Sequence, residues 1–174
     1  MTNPSLSKEQ VKTFKAQEKE AEDCWDYSAL ADSLAEAGDK EWARKIYEKA
    51  VKTADDSQDL AAIGSSVLKE EHLSDMDWAR NLSSQAVTKA DSVRDITGVV
   101  DDIVDTDGLG DKSLACEFLA KAVDKAEDAA DLVTVAQSVG REDCLGDKQW
   151  AKEIFEKALD ETVEPRDLLE LSSL

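Results

Sequence analysis

Hydrophobic positions recur along this chain with a fixed period. Segments that begin at residues 38, 74, 110 and 146 align without a gap, so each start lies 36 residues after the one before. Within each segment the apolar residues are spaced by three and four, as on one face of an amphipathic helix. The predicted buried stripe consists of Trp42, Trp78, Leu114 and Trp150; Ala43, Ala79, Ala115 and Ala151; Ile46, Leu82, Phe118 and Ile154; Ala50, Ala86, Ala122 and Ala158; and Val51, Val87, Val123 and Leu159. A repeat of this length predicts helical units that stack on one another.

Acidic residues mark the predicted starts of the helices. The first helix of each repeat follows an N-cap aspartate, whose carboxylate can accept from free backbone N–H groups: Asp39, Asp75, Asp111 and Asp147. The second helices begin after Asp23, Asp56, Ser92, Asp128 and Glu164, and an aspartate follows each of these by three residues, as in a capping box. Pro165 suits the first position of a helix, where no N–H is needed.

These patterns predict an all-α fold, an α-α superhelix of about five antiparallel helix pairs. Residues 1–6 are predicted to be a disordered tail, and residues 7–174 a single helical-repeat domain. Its predicted parts are an N-terminal helix pair (7–37), full repeats (38–73, 74–109 and 110–145) and a truncated last repeat (146–174). The connection before Gly38 is three residues shorter than its later equivalents. This is the one place where the 36-residue period is interrupted.

The charge balance restricts the classes of partner. The chain has 40 acidic and 21 basic residues and a formal net charge of −19. Such a surface repels phosphates and anionic lipid, which argues against nucleic-acid and membrane partners. It would attract a basic protein segment or divalent cations, and it is also what a well-solvated, soluble surface requires. The three cysteines have no metal or redox spacing, and Cys116 is expected on the outer face. Their odd number suits a reducing compartment, so the sequence predicts a cytoplasmic protein.

The repeat resembles the tetratricopeptide family in a Gly-Asp turn followed by a small–large–small triad. The triads are Ala43–Tyr47–Ala50, Ala79–Ser83–Ala86, Ala115–Leu119–Ala122 and Ala151–Phe155–Ala158. The resemblance covers residues 24–174. The period departs from the family's value of about 34, and the helix-ending proline is missing, so the chain is also similar to the Sel1-like repeats. Both resemblances imply stacked antiparallel helix pairs with a concave face that binds a protein or peptide.

If that geometry holds, outward positions of the second helices line the groove and form the partner-binding site. The residues so predicted are Trp25, Asp32, Glu36, Gln58, Ser65, Lys69, Arg94, Asp101, Asp105, Gln137 and Arg141. The three repeat tryptophans, Trp42, Trp78 and Trp150, are instead expected to pack between repeats.

Other candidate chemistry is weak. A calcium loop that begins at Asp105 would place Leu109 and Cys116 where an EF-hand needs oxygen ligands, so no metal site is predicted. His72, the single histidine, is expected on the surface of a turn, and no nucleophile–histidine–acid set can be assembled around it. The sequence therefore predicts no enzyme activity and no cofactor.

The main hypothesis is a scaffold or adaptor that binds a protein or peptide, basic or of mixed charge, on its concave surface. The alternative is an acidic decoy that occupies a nucleic-acid-binding protein. Self-association through the short C-terminal helix, which contains Leu168 and Leu171, is a further expectation, because the ends of repeat arrays need cover.

Overall fold

The computed structural model describes residues 6–105 and 108–162, and over these ranges the fold is all-α, without a strand. The helices are α1 (Lys8–Glu20), α2 (Cys24–Glu36), α3 (Lys40–Thr53), α4 (Ser57–Leu68), α5 (Met76–Lys89), α6 (Val93–Val104), α7 (Lys112–Lys125), α8 (Ala129–Gly140) and α9 (Lys148–Thr162). The predicted fold class is confirmed. The predictions for the first five residues, for the turn at 106–107 and for residues 163–174, including Glu164 and Pro165, lie outside the described residues.

The predicted N-caps are present at the starts of the helices. Each aspartate before a first helix accepts from the backbone N–H three residues later, as Asp39 does from Trp42 at 3.0 Å. Ser92 and Asp95 form a full capping box at the start of α6. At α4 the N3 carboxylate, Asp59, reaches one residue further back and accepts from the N–H of Asp55 at 2.8 Å. The caps therefore satisfy helix N–H groups that would otherwise lack partners.

The residue before each first-helix N-cap has a left-handed backbone. Gly38, Gly110 and Gly146 have φ values of 92°, 60° and 68°, and Ser74 has 55° at the equivalent place. An L side chain is unfavourable in this region, whereas glycine enters it freely. This explains why three of the four repeats begin with Gly-Asp, and it identifies Ser74 as the strained copy.

Consecutive helices pack as antiparallel pairs, a pattern consistent with an α-α superhelical repeat. The most extensive pairs are α2 with α3, α4 with α5, α6 with α7 and α8 with α9. These pairs cross the boundaries of the 36-residue units, because each tight turn lies at a Gly-Asp or Ser-Asp dipeptide. The chain divides into two compact units, called here unit 1 (α1–α5) and unit 2 (α6–α9).

The cores of both units contain the small residues of the repeat. The alanines of the two repeated columns are buried in α3, α5, α7 and α9. Gly64 of α4 lies so close to α5 that an added Cβ would be 3.4 Å from the Leu82 Cβ. Between α8 and α9, a Cβ on Gly140 would be 3.2 Å from that of Ala151. Small side chains thus permit close helix packing.

Two of the repeat tryptophans pack between helices, as predicted. Trp42 makes an edge-to-face contact with Phe14 of α1, with ring centroids 6.1 Å apart. Trp78 packs in the same way against Tyr47 of α3, at 6.3 Å. Trp150 is half-buried on α9.

Two expectations about burial are wrong. His72 is not on the surface but is only 2% exposed. The turn after α4 folds back through a bond from the Asp75 N–H to the Val67 carbonyl at 3.3 Å, and this carries the imidazole into the core. Leu159 was expected in the buried stripe and is 64% exposed, because no described helix covers that side of α9.

Candidate functional site

A cavity of about 170 Å³ lies between α2 and α4 in unit 1. Its lining residues occur at helical spacing on one face of each helix. They are Cys24, Trp25, Ser28, Ala29 and Asp32 of α2, and Asp59, Ala62, Ile63 and Ser66 of α4. The cavity is too small for a large cofactor and suits a single side chain of a partner.

Trp25 borders the cavity and is the most exposed of the tryptophans. It lies in the first turn of α2 and is 60% exposed, whereas Trp42 and Trp78 are half-buried against neighbouring helices. A large exposed aromatic next to a cavity can cover the apolar stem of an inserted side chain or contact a cation with its ring face. The indole is therefore available to a partner.

Asp32 joins the cavity to a buried polar cluster. One carboxylate oxygen accepts from the Tyr47 hydroxyl, and the other is 3.5 Å from the Ser66 Oγ. Burial, followed by the hydrogen bond to Asp32, raises the pKa of Tyr47, so the phenol stays protonated and donates. Tyr47 thereby fixes the orientation of a half-buried carboxylate.

His72 completes this cluster. Its Nδ1 is 2.8 Å from the backbone carbonyl oxygen of Ser66 and 3.1 Å from the Tyr47 hydroxyl oxygen. A carbonyl oxygen only accepts, so Nδ1 carries a proton and the neutral ring is the Nδ1–H tautomer. Nδ1 is also 3.4 Å from Asp32, and Nε2 is 3.8 Å from the exposed carboxylate of Glu36. The Nδ1–H thus links the turn after α4 to the Ser66 carbonyl, next to the Tyr47 hydroxyl and the Asp32 carboxylate.

A second carboxylate, that of Asp59, lines the cavity beside Cys24. The Cys24 thiol is buried and hydrogen-bonded to Asp59. Burial, then this hydrogen bond and the charge of Asp59, raise the pKa of Cys24 to about 12. The thiol is therefore protonated at neutral pH and a poor nucleophile. This geometry suits binding rather than thiolate chemistry.

The cavity contains negative charge without a cation of its own. Asp32 and Asp59 both line it, and no lysine or arginine is among its described lining residues. The groups that contact these carboxylates are a phenol, a hydroxyl, an imidazole N–H, a thiol and a backbone N–H. An ammonium or guanidinium group would be the complementary occupant.

The remaining residues predicted for this face of unit 1 lie outside the cavity. Gln58 and Ser65 are exposed on α4, and Lys69 is exposed at its C-cap. Glu36 is near the cavity only through its contact with His72.

In unit 2 the structure brings together two of the predicted residues. Arg141 pairs with Asp101 at 2.6 Å and with Asp143 at 3.1 Å, and this pairing raises the pKa of the guanidinium. Gln137 and Arg141 also border a groove between α8 and α9. Arg94 is exposed in the first turn of α6, and Asp105 is exposed at the C-cap of that helix. These residues do not form one pocket.

The residues predicted for α4, Gln58 and Ser65, are the helix equivalents of Trp25 and Asp32 of α2, and Asp59 and Ser66 were therefore missed. Residues at equivalent positions of two parallel neighbouring helices point in the same direction, so they cannot face each other across a cavity. The facing residues of α4 lie one position further along, at Asp59 rather than Gln58 and at Ser66 rather than Ser65. The helical spacing from Asp59 to Ser66 was a usable signal.

Among the described residues no group of three His, Cys, Asp or Glu side chains is arranged to hold a metal ion. None of the described helices has the length and apolar character that a membrane crossing needs. Comparisons of the chain with protein-family models, with curated proteins and with solved structures give no match.

Proposed function

We propose that this chain is a helical-repeat scaffold that binds another protein, and that the α2/α4 cavity receives a lysine or arginine side chain of that partner. The observation that carries the proposal is an exposed tryptophan, Trp25, at the border of a cavity lined by Asp32 and Asp59. An aromatic anchor beside a desolvated charge is the arrangement that concentrates binding energy in protein interfaces. The overall charge of −19 supports a basic partner through faster encounter.

The buried cluster supports the proposal because it fixes the recognition group in advance. Tyr47 and His72 are both buried, and both contact the Asp32 side of α2. A carboxylate that is already oriented loses little conformational entropy when a cation arrives. The proposal places the protein in the cytoplasm, since all three cysteines are free thiols.

The test starts with a random-peptide display selection against the full chain. Selected peptides are expected to contain a lysine or arginine whose change to glutamine weakens binding about tenfold. Asp32→Asn should have a similar effect, because asparagine keeps an oxygen that accepts from Tyr47 but lacks the charge. Trp25→Ala should weaken binding by a further factor of about ten.

A matched control separates the cavity from the general charge. Glu48→Gln removes one exposed carboxylate of α3 and should change the affinity less than about twofold. If Glu48→Gln and Asp32→Asn have equal effects, the surface charge as a whole is responsible, as the acidic-decoy hypothesis expects. Binding that survives Trp25→Ala unchanged, or selected peptides without basic residues, would contradict the proposal.

A further inference from the structure

The α2/α4 cavity presents hydrogen-bond acceptors on both of its walls. Ser28 and Asp32 line it from α2, and Asp59 and Ser66 line it from α4. Asp32 is half-buried and Asp59 is buried, so both carboxylates are partly removed from water. Carboxylate oxygens only accept hydrogen bonds, and hydroxyl oxygens accept as well as donate. A cation that enters the cavity therefore meets acceptors that belong to two helices.

The Asp32 carboxylate already has a protein donor at each of its two oxygens. The Tyr47 hydroxyl donates to one oxygen, which is also 3.4 Å from Nδ1 of His72. The Ser66 Oγ is 3.5 Å from the other oxygen. A guanidinium group has its advantage over an ammonium group where its two parallel N–H groups meet both oxygens of one carboxylate. Asp32 offers single remaining acceptor sites rather than such an empty edge.

The Asp59 carboxylate is engaged in a similar way. Its Oδ2 accepts from the Asp55 N–H at 2.8 Å, and the Cys24 thiol also donates to this carboxylate. A lysine ammonium group suits such partly used acceptors, because its three N–H donors point in different directions and each requires one acceptor. The compact ammonium is therefore matched to acceptors on both walls, whereas a planar guanidinium is matched to one carboxylate at a time.

We infer that the cavity recognises the N–H donors of an unmodified lysine side chain of the partner and selects lysine over arginine. The ammonium group lies between Asp32 and Asp59, and the indole of Trp25 covers the methylene stem of the lysine. Trp25 is 60% exposed at the border of the cavity, which leaves its indole accessible for this contact. The inference rests on the proposed function and goes beyond it, because it assigns the recognition to hydrogen-bond donors as well as to positive charge.

The first experiment uses one basic peptide from the display selection, with an acetylated N-terminus. Four versions carry lysine, arginine, trimethyl-lysine or glutamine at the essential basic position, and isothermal titration calorimetry measures their Kd for the full chain. The arginine peptide should bind about tenfold more weakly than the lysine peptide. The trimethyl-lysine peptide keeps the charge but has no N–H donor, so it should also bind at least about tenfold more weakly. An arginine or trimethyl-lysine peptide that binds as tightly as the lysine peptide would overturn the inference.

The second experiment tests whether the filled oxygens of Asp32 cause the selection. Ser66→Ala removes the donor at one oxygen, so the preference for the lysine peptide over the arginine peptide should fall to about threefold or less. Ser65→Ala is the matched control, because this neighbouring serine of α4 is exposed and does not line the cavity. The preference is a ratio within one variant, so a general loss of affinity cancels, and circular dichroism checks that both variants are folded. A preference that both variants leave unchanged would contradict the role assigned to Asp32.

The glutamine peptide separates a failure of this inference from a failure of the proposed function. If the glutamine peptide binds as tightly as the lysine peptide, the cavity does not receive a basic side chain, and the proposed function and the inference are both wrong. If the lysine and arginine peptides bind equally and both bind at least about tenfold more tightly than the glutamine peptide, the cavity is a cation site without selection, and only the inference is wrong.

Discussion

Units 1 and 2 have an aspartate at the same helix position, but its surroundings differ between the two units. Asp32 follows the N-cap of α2 at the same distance as Asp101 follows the N-cap of α6. In unit 1 this carboxylate accepts from buried Tyr47 and lies near buried His72. In unit 2 the carboxylate is exposed and forms an ion pair with Arg141 at 2.6 Å.

The surrounding residues differ in the same sense. Leu119 is the unit 2 equivalent of Tyr47, and Cys144 is the equivalent of His72. All four side chains are buried, and the turns that carry His72 and Cys144 have the same backbone bonds, 3.1 and 3.2 Å from the N–H groups of those residues to Lys69 and Arg141. The same backbone therefore accommodates either the polar pair Tyr47 and His72 or the less polar pair Leu119 and Cys144. Only the polar cluster orients a carboxylate towards a cavity.

The largest effect is expected when unit 1 is given the unit 2 residue. Tyr47→Leu should lower the free energy of unfolding by about 3 kcal/mol, because it removes a buried ring and leaves Asp32 and His72 without the hydroxyl. Urea unfolding followed by tryptophan fluorescence measures this, since Trp25, Trp42 and Trp78 belong to unit 1.

The reverse exchange is the control for that prediction. Leu119→Tyr should destabilise unit 2 by about 1–3 kcal/mol, since the larger ring must enter a filled core and Asp101 already has Arg141 as its partner. A Leu119→Tyr protein as stable as the unaltered chain would contradict the view that each residue set is matched to its own unit.

Alkaline pH should weaken the fold through the buried thiol of unit 1. The pKa of Cys24 is raised above its ordinary value to about 12, so its contribution is complete below about pH 9 and is lost as the pH rises towards 12. The slope is at most about 1.4 kcal/mol per pH unit for one such group. Cys24→Ser, which can still donate to Asp59 but does not titrate, should reduce this slope in urea titrations. The raised pKa values of Tyr47 and Cys144 act in the same direction, so the slope should decrease without disappearing. A slope that Cys24→Ser leaves unchanged would contradict the role of Cys24.

The turns supply a smaller effect. In the described part of unit 2 both positive-φ positions are glycines, whereas the described part of unit 1 has Gly38 and Ser74. Ser74→Gly should raise the free energy of unfolding by about 0.5–1 kcal/mol, because the strain of the left-handed serine exceeds the entropy that glycine loses. Gly146→Ser should lower it by a similar amount. If thermal melts show both changes to be neutral, the backbone strain assigned to this position is wrong.

The smallest effect is expected for the exposed ion pair of unit 2. A double-mutant cycle with Asp101→Ala and Arg141→Ala should give a coupling of about 0.2–1 kcal/mol that falls as salt is added. A coupling above about 2 kcal/mol, or one insensitive to salt, would show that the two carboxylate positions do not differ as the structures of the two units indicate.

The sequence was sufficient for the helical architecture because its signals are local. N-cap aspartates, left-handed glycines and the spacing of Ala43 and Ala50 each depend on a few neighbouring residues, and the 36-residue period repeats them. The exposure of Trp25 and Cys116 was also predictable from their positions in the repeat.

Only the tertiary structure decided where the turns fold and which helix faces meet. His72 has the sequence context of a surface turn, yet a backbone bond back to Val67 buries it beneath Tyr47. The sequence identifies Asp59 only as a helix-capping residue. In the structure it caps α4 and also lines the cavity between α2 and α4. A chain pattern specifies the direction of each side chain relative to its own helix, but contact across helices depends on how the neighbours are placed. For that reason the repeat was evident from the sequence, and the chemistry of its surfaces was not.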